Sequence, residues 1–161
     1  MPKVSPEHAQ ARRAQILEGA RRCFARWGYE GATVPRLERE IGLSHGAIFN
    51  YYRSKLDLFI ALAHEDHERF HTLWREGGLD GLARYIAAAD PAWLAIYLEL
   101  HRRLRTDPAL RKRWRAEPLR PVTDDEAFAH TLVNGLVFAR AAGVEVDVEP
   151  ILRLAKKVLD R

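Results

Sequence analysis

The sequence predicts an all-α protein. Apolar residues recur at spacings of three and four along most of its length, and no segment competes for the period of two that a half-buried strand requires. Capping pairs such as Asp90-Pro91 and Asp107-Pro108 supply helix starts between the periodic stretches. The 161 residues suffice for one or two packed domains with a real core.

The first helix is expected from Glu7 to Trp27. Ile16, Leu17, Ala20, Phe24 and Trp27 form its apolar face, Arg12, Arg13, Arg21, Arg22 and Arg26 occupy the others, and Gly28 ends it. Cys23 is the only cysteine, which rules out an internal disulfide, and its neighbours Ala20, Phe24 and Trp27 favour a buried apolar role. A second helix runs from about Val34 to Glu40 on Val34, Leu37 and Ile41. The Thr33 hydroxyl is suited to cap it, and Pro35 fits a first turn whose donors are unpaired. Gly42 can take positive φ, Leu43 returns to the core, and Ser44 caps a third, short helix. Ile48 and Tyr52 can face inward there, leaving His45, Gly46, Phe49 and Asn50 outward. Two helices joined by a sharp turn, the second with a small, polar and aromatic outer face, suit insertion into a groove.

Ser54 with Asp57 opens a long helix through Leu58, Leu62, Phe70, Leu73 and Trp74 to Gly77 and Gly78. Leu79 to Ala89 forms a short apolar helix, and Asp90-Pro91 starts one through Trp93, Ile96, Tyr97, Leu100 and Leu104. Asp107-Pro108 starts another that ends near Ala116. EPLRPVTDD reads as a surface loop. Thr123 or Asp124 then begins a helix through Phe128, Leu132, Val133, Leu136, Val137 and Arg140 to Gly143. The last runs from about Val148 to Leu159 on Ile151, Leu152, Leu154, Ala155 and Val158.

Charge is unevenly placed. Residues 1–55 hold ten Lys or Arg and five Asp or Glu, against sixteen and seventeen in residues 56–161. The positive excess therefore accompanies the two-helix corner, as phosphate contact would require. The first residues lack the apolar core of a signal peptide, and no apolar run can span a membrane. A soluble protein of a reducing cytoplasm is expected, with no membrane partner.

His67, Glu68 and His71 spell H-E-x-x-H, in which two i, i+4 histidines bind zinc and the Glu serves as base. A zinc-dependent hydrolase is therefore an alternative reading. Against it, Trp74 and Gly77 stand where the extended metalloprotease pattern places Gly and His, and no third ligand is evident. The preferred reading is not an enzyme and calls for no catalytic residue, metal or cofactor.

GYEGATVPRLEREIGLSHGAIFNYYRSKLDLF resembles the DNA-binding signature of the tetracycline-repressor (TetR) family: a Gly-Thr-Thr-like entry, a turn Gly, a Ser-x-Gly start to the recognition helix, an aromatic run and Ser-Lys before a long helix. The likeness covers Ile16 to about Asp66. It implies a helix-turn-helix DNA-binding domain over residues 1–53 and a helical effector-binding and dimerisation domain over 54–161. The implied protein is a homodimeric, sequence-specific regulator that binds double-stranded DNA at a pseudo-palindromic operator as a repressor, and that a small molecule releases. A DNA-binding protein without an effector is the remaining alternative.

Carried onto this chain, the resemblance turns Ser44, His45, Gly46, Ala47, Phe49 and Asn50 to the major groove and places Thr33, Tyr51 and Lys55 on phosphates. Asn50 can pair in bidentate fashion with adenine, whereas Ala47 lacks the hydroxyl that the family often has there. The dimer interface falls on the last two helices, with Leu132, Leu136, Ile151, Leu154 and Val158 as its candidates. The ARRCFARWGYEGATV and LRTDP segments are also similar to aconitase-repressor members of the family, which sense citrate with a divalent metal. HRRLRTDPALRKRWR concentrates seven basic residues between Arg102 and Arg115 against the single acid Asp107. Arginines at one helix end beside the N-terminus of the next suit an anion, so a carboxylate effector is expected. Its candidate residues are His64, His67, Trp93, Tyr97, Glu99, Arg102 and Arg105.

Overall fold

A computed structural model describes residues 5–88, 90–116 and 123–160, with the side chains of Pro91, Ala95, Tyr97 and Ala116 outside that description. Eight helices and no strand occur among the described residues: α1 Pro6–Gly31, α2 Val34–Ile41, α3 His45–Phe49, α4 Lys55–Ala88, α5 Pro91–Thr106, α6 Pro108–Ala116, α7 Asp124–Ala141 and α8 Val148–Leu159. The expected all-α architecture is therefore the observed one. Most of the loop expected from Glu117 onward lies outside the described residues.

Two expected helix ends fall at non-helical glycines inside α1 and α4. Gly28, at φ 66° and ψ 175°, interrupts α1, which resumes for a last turn to Gly31. Gly78, at φ 51° and ψ −140°, divides α4 into two helices across a kink, where the sequence places the end of one helix and the start of the next. Both angles lie where a Cβ is disfavoured, so glycine lets the chain bend there and re-enter a helix.

The chain divides into compact units at residues 1–65 and 66–161. That boundary lies inside α4 rather than after residue 53, because the first turns of α4 supply core to the N-terminal unit. Phe59 packs edge-on against Phe24 and Tyr29 at centroid distances of 5.3 and 5.0 Å, and Leu58 and Leu62 are fully buried. Cys23 is buried in the same core, as its neighbours implied, and burial raises its thiol pKa, with Glu40 adding to the shift.

Within this unit α1 and α2 meet at unusually close range. A Cβ added to Gly19 would lie 2.6 Å from Ile41 Cα and 3.0 Å from the Glu40 carbonyl oxygen. The contact is reinforced by polar clamps on the end of α2: Gln15 Nε2 donates to the Ile41 carbonyl at 3.1 Å, and Arg22 donates to that of Glu40 at 3.1 Å. Those carbonyls belong to the last turn, which has no partner within the helix.

The second unit has its own core, made by Phe70, Leu79, Leu82 and Ile86 of α4, Leu94 of α5, Ala129, Val133, Leu136 and Val137 of α7, and Leu152 and Ala155 of α8. Its helices begin where the sequence supplies caps. Asp90 accepts from Ala92 N at 2.8 Å, Asp107 from Leu110 N at 2.9 Å, Thr123 from Glu126 N at 3.2 Å and Asp147 from Glu149 N at 3.2 Å.

Gly19 gives a sharp test. In an open helix, Gly→Ala stabilises by about 1 kcal/mol. Here the new methyl meets backbone, and overpacking of that kind costs about 1–3 kcal/mol. Gly19→Ala should therefore lower the thermal midpoint of the N-terminal unit; an unchanged or raised midpoint in a calorimetric scan would contradict the close approach.

Candidate nucleic-acid interface

The corner between α2 and α3 is built by a small number of local decisions. Gly42 takes the left-handed conformation at φ 76° and its N–H returns to the Glu38 carbonyl at 2.9 Å, which closes α2. Ser44 then caps α3 by accepting from Ala47 N, at 3.4 Å. Ile48 is fully buried, and Tyr52 follows past the helix end, its N–H bonded to the Ile48 carbonyl at 3.2 Å. Tyr52 is half-buried, and desolvation raises its phenol pKa.

That arrangement turns the expected contact residues outward. Ser44, His45, Gly46 and Asn50 are exposed, whereas Ala47, Phe49 and Tyr51 are half-buried. The His45 ring lies 4.6 Å from that of Phe49, so the two form one continuous surface on α3. Thr33 is exposed at the N-cap of α2, and its side chain makes no capping hydrogen bond, contrary to expectation. Pro35 removes one of the two N–H groups that such a cap can take, and the hydroxyl makes no bond to the other, that of Arg36.

Lys55 is more constrained than a plain phosphate contact. Its ammonium donates to the Tyr29 carbonyl at 2.8 Å and lies 4.4 Å over the Tyr29 ring. Burial lowers its pKa, with Cys23 acting in the opposite sense. Trp27, expected on the apolar face, is instead 39% exposed, between the guanidinium groups of Arg26 at 4.9 Å and Arg36 at 4.1 Å. A residue missed by sequence reasoning also enters the corner: Glu38 Oε1 accepts from His45 N at 2.5 Å. Seven positions separate the two, so no local capping pattern announces the contact.

Residues 16–62 match the model for bacterial regulatory proteins of the tetR family. The chain is 51% identical over 129 residues to the HTH-type transcriptional repressor Rv1474c of Mycobacterium tuberculosis, covering 78% of this chain and 69% of that one. It is 39% identical over 182 residues to the HTH-type transcriptional repressor AcnR of Corynebacterium diphtheriae, covering 98% and 96%. The chain belongs to the TetR family. It is a DNA-binding transcriptional regulator, not an enzyme, and stands near the aconitase-repressor subgroup. Among solved structures, Salmonella enterica GusR shares the fold with a TM-score of 0.64 at 20% identity, over 99% of this chain and 100% of that one.

In this TetR-family chain the two histidines of H-E-x-x-H hydrogen-bond to each other. Both nitrogens of the fully buried His71 are engaged, Nδ1 with Glu126 Oε1 at 2.5 Å and Nε2 with His67 Nε2 at 2.8 Å. Glu68 is exposed. Among the described residues no three His, Cys, Asp or Glu side chains are grouped to hold a metal ion.

The expected effector residues have differing surroundings. Trp93 is buried and donates to Asp66 at 2.6 Å, His67 joins His71, and His64 is half-buried. The Tyr97 side chain lies outside the described residues. Glu99 grips Arg102 through two bonds of 2.9 and 2.7 Å and Arg103 at 2.8 Å, while Arg105 is exposed. The Arg102 hydrogen bond holds the Glu99 carboxyl below its ordinary pKa. Two cavities within residues 66–161, of about 330 and 260 Å³, are lined by none of the seven.

For DNA recognition, Asn50→Ala should relax sequence preference, because an exposed amide at the end of α3 is available to a base edge. Lys55→Ala should weaken all duplexes alike. It should also lower the thermal midpoint, since the hydrogen bond of the partly exposed ammonium to the Tyr29 carbonyl contributes about 1 kcal/mol. Titration of selected and scrambled duplexes, with a melt of each variant, separates the two; unchanged preference in Asn50→Ala would remove it from the readout.

The histidine network predicts a pH effect. Burial, and then His71, lower the His130 pKa from its ordinary 6.5, while Glu126 opposes the shift. A lowered folded value means that the unfolded chain takes the proton first. The contribution of His130 is thus fully present above pH 6.5 and is lost as pH falls through the depressed value. Thermal midpoints at about pH 7.5 and 5.5 should show a fall that His130→Asn makes smaller; an equal fall in the variant would exclude His130.

Proposed function

We propose that the protein is a homodimeric cytoplasmic repressor that binds a pseudo-palindromic operator through α3 and is released from it by an anionic small molecule. The observation that supports the DNA part is the surface of exposed His45 and Asn50 with half-buried Phe49, on a capped helix whose inner side is fixed by buried Ile48. Repression is inferred from the relatives, which are named as transcriptional repressors.

The dimer reading is supported by apolar side chains on α7 and α8 that a single chain leaves in water. Phe138 is 58% exposed, Leu154 63% and Val158 46%. Such residues together on two helices favour a partner surface. Leu132 and Ile151 are partly buried against the unit's own core, and Leu136 is 6% exposed within it. Leu136 thus serves the chain's own packing, which makes Leu154 and Val158 the informative positions for assembly.

The anion reading rests on the exposed basic residues Arg105, Lys112, Arg113 and Arg115, together with the exposed Arg102 that Glu99 now holds. An incoming carboxylate at Arg102 competes with Glu99 for the same guanidinium.

The test is DNA selection from a random pool, followed by titration of citrate with and without magnesium while DNA release is followed. An apolar aromatic acts as control. A two-fold half-site pattern with centres about 34 Å or a multiple apart is expected, and release by the anion. Leu154→Glu should give monomers in sedimentation with a retained melt. Monomeric unmodified protein at micromolar concentration would sink the dimer, and release by the apolar control alone would sink the anion.

A further inference from the structure

We infer that Glu38, a residue of α2, is a positioning residue for sequence-specific DNA recognition: its side chain sets the orientation of the recognition helix. α3 is five residues long, too short to be stable by its own hydrogen bonds, so its direction depends on what ties it to the rest of the unit. Ile48 is the one residue of α3 that is fully buried. It anchors the inner side of the helix, while its first residue, His45, is exposed and is held by no buried side chain of its own. The second tie is Glu38, whose carboxylate accepts the first N–H of α3, that of His45, at 2.5 Å. The Ser44 bond to Ala47 N is longer, at 3.4 Å, and is made by a residue of the turn itself, so it cannot fix α3 against α2.

Glu38 is well placed for this role because it is already fixed. Its backbone carbonyl accepts the Gly42 N–H that closes α2, and it sits one residue beyond fully buried Leu37. The same residue therefore terminates one helix through its backbone and holds the next through its side chain. The helix end it holds carries His45, whose ring packs on Phe49, so the outward surface turns with that end.

The carboxylate has a second effect. Negative charge at the N-terminus of α3 is favourable for the helix, yet it repels a DNA phosphate approaching the same end. Every duplex brings phosphates to that end, so the charge weakens specific and non-specific binding alike. Glu38 thus sets the ratio between the two through the hydrogen bond that aims the helix, while its charge lowers the affinity for both.

The two contributions separate by substitution. The unmodified protein selects its duplex from a random pool; it, Glu38→Gln and Glu38→Ala are then titrated against that duplex and a scrambled one at several salt concentrations. A melt of each is recorded. Glu38→Gln keeps an oxygen acceptor of the same reach and removes the charge, so both duplexes should bind more tightly with the ratio between them within about twofold of the original. Glu38→Ala removes both, and the ratio should fall about tenfold, the equivalent of one charge-assisted hydrogen bond, without the loss of a folding transition. An Ala variant with the original ratio would make Glu38 an ordinary surface acid. A Gln variant that loses the ratio as far as Ala would assign the effect to charge alone, and either result overturns the positioning role. If Ala does not fold, Glu38→Asp, which keeps the charge but is one methylene too short to reach the His45 N–H, takes its place: a fall in the ratio is expected, and an unchanged ratio overturns the positioning role.

Discussion

The N-terminal unit depends on an atom that is missing. Because Gly19 has no Cβ, the backbone of α1 lies against Ile41 at a distance that no other residue permits. The last turn of α2 is thereby brought within reach of Gln15 and Arg22, whose donors satisfy its carbonyls. With that end immobilised, the left-handed turn at Gly42 starts from a fixed point, and α3 inherits its position from the turn. Specific DNA binding needs side chains held to within a fraction of an ångström of base edges. In this chain the place of α3 is set by packing between α1 and α2.

The C-terminal unit solves a different problem, the burial of polar groups. Thr123 and Glu126 have the spacing of a capping box, and Thr123 does cap α7 through Glu126 N. Glu126, however, turns its carboxylate inward to His71 rather than closing the box. The gain is a bridge between α4 and α7 in which His71 is completed by His67. Removing one partner leaves the other buried without its hydrogen bond, which costs about 1–3 kcal/mol. The network therefore constrains which residues the two helices can carry at these positions.

Much of this was legible in the sequence, because the relevant signals are local. Val148–Leu159 was expected to within a residue from its apolar spacing, and Asp90, Asp107 and Thr123 announced helices that they do cap. Ser44, His45 and Asn50 came out exposed on α3 for the same reason: four residues of period place Ile48 inward and fix the rest. Tertiary contacts carried no such mark. The demand on Gly19 comes from Ile41, twenty-two positions away, and Glu126 meets His71 across fifty-five. Lys55 bonds the Tyr29 carbonyl, and no side-chain pattern encodes a partner that is backbone. Gly28 and Gly78 were recognised as helix ends, but an angle, not a residue type, decides whether the chain bends or stops.

The basic segment shows how a local signal can mislead when its window is drawn by charge alone. Arg102 to Arg115 holds seven cations and one acid, yet Glu99 lies three and four positions before Arg102 and Arg103, the spacing at which helical side chains meet. Its carboxylate takes both guanidinium groups. At the neighbouring helix start, Asp107 places its own carboxylate on Leu110 N, so the favourable end of α6 already holds a negative group. An anion arriving at this corner therefore meets occupied partners, not bare ones. It can compete with Glu99 for Arg102, because that guanidinium is largely exposed and water screens an exposed ion pair. Displacing Asp107 would instead uncap α6. The two halves of the corner are thus unequal: the arginine side can exchange its acid, while the helix side is closed by its own.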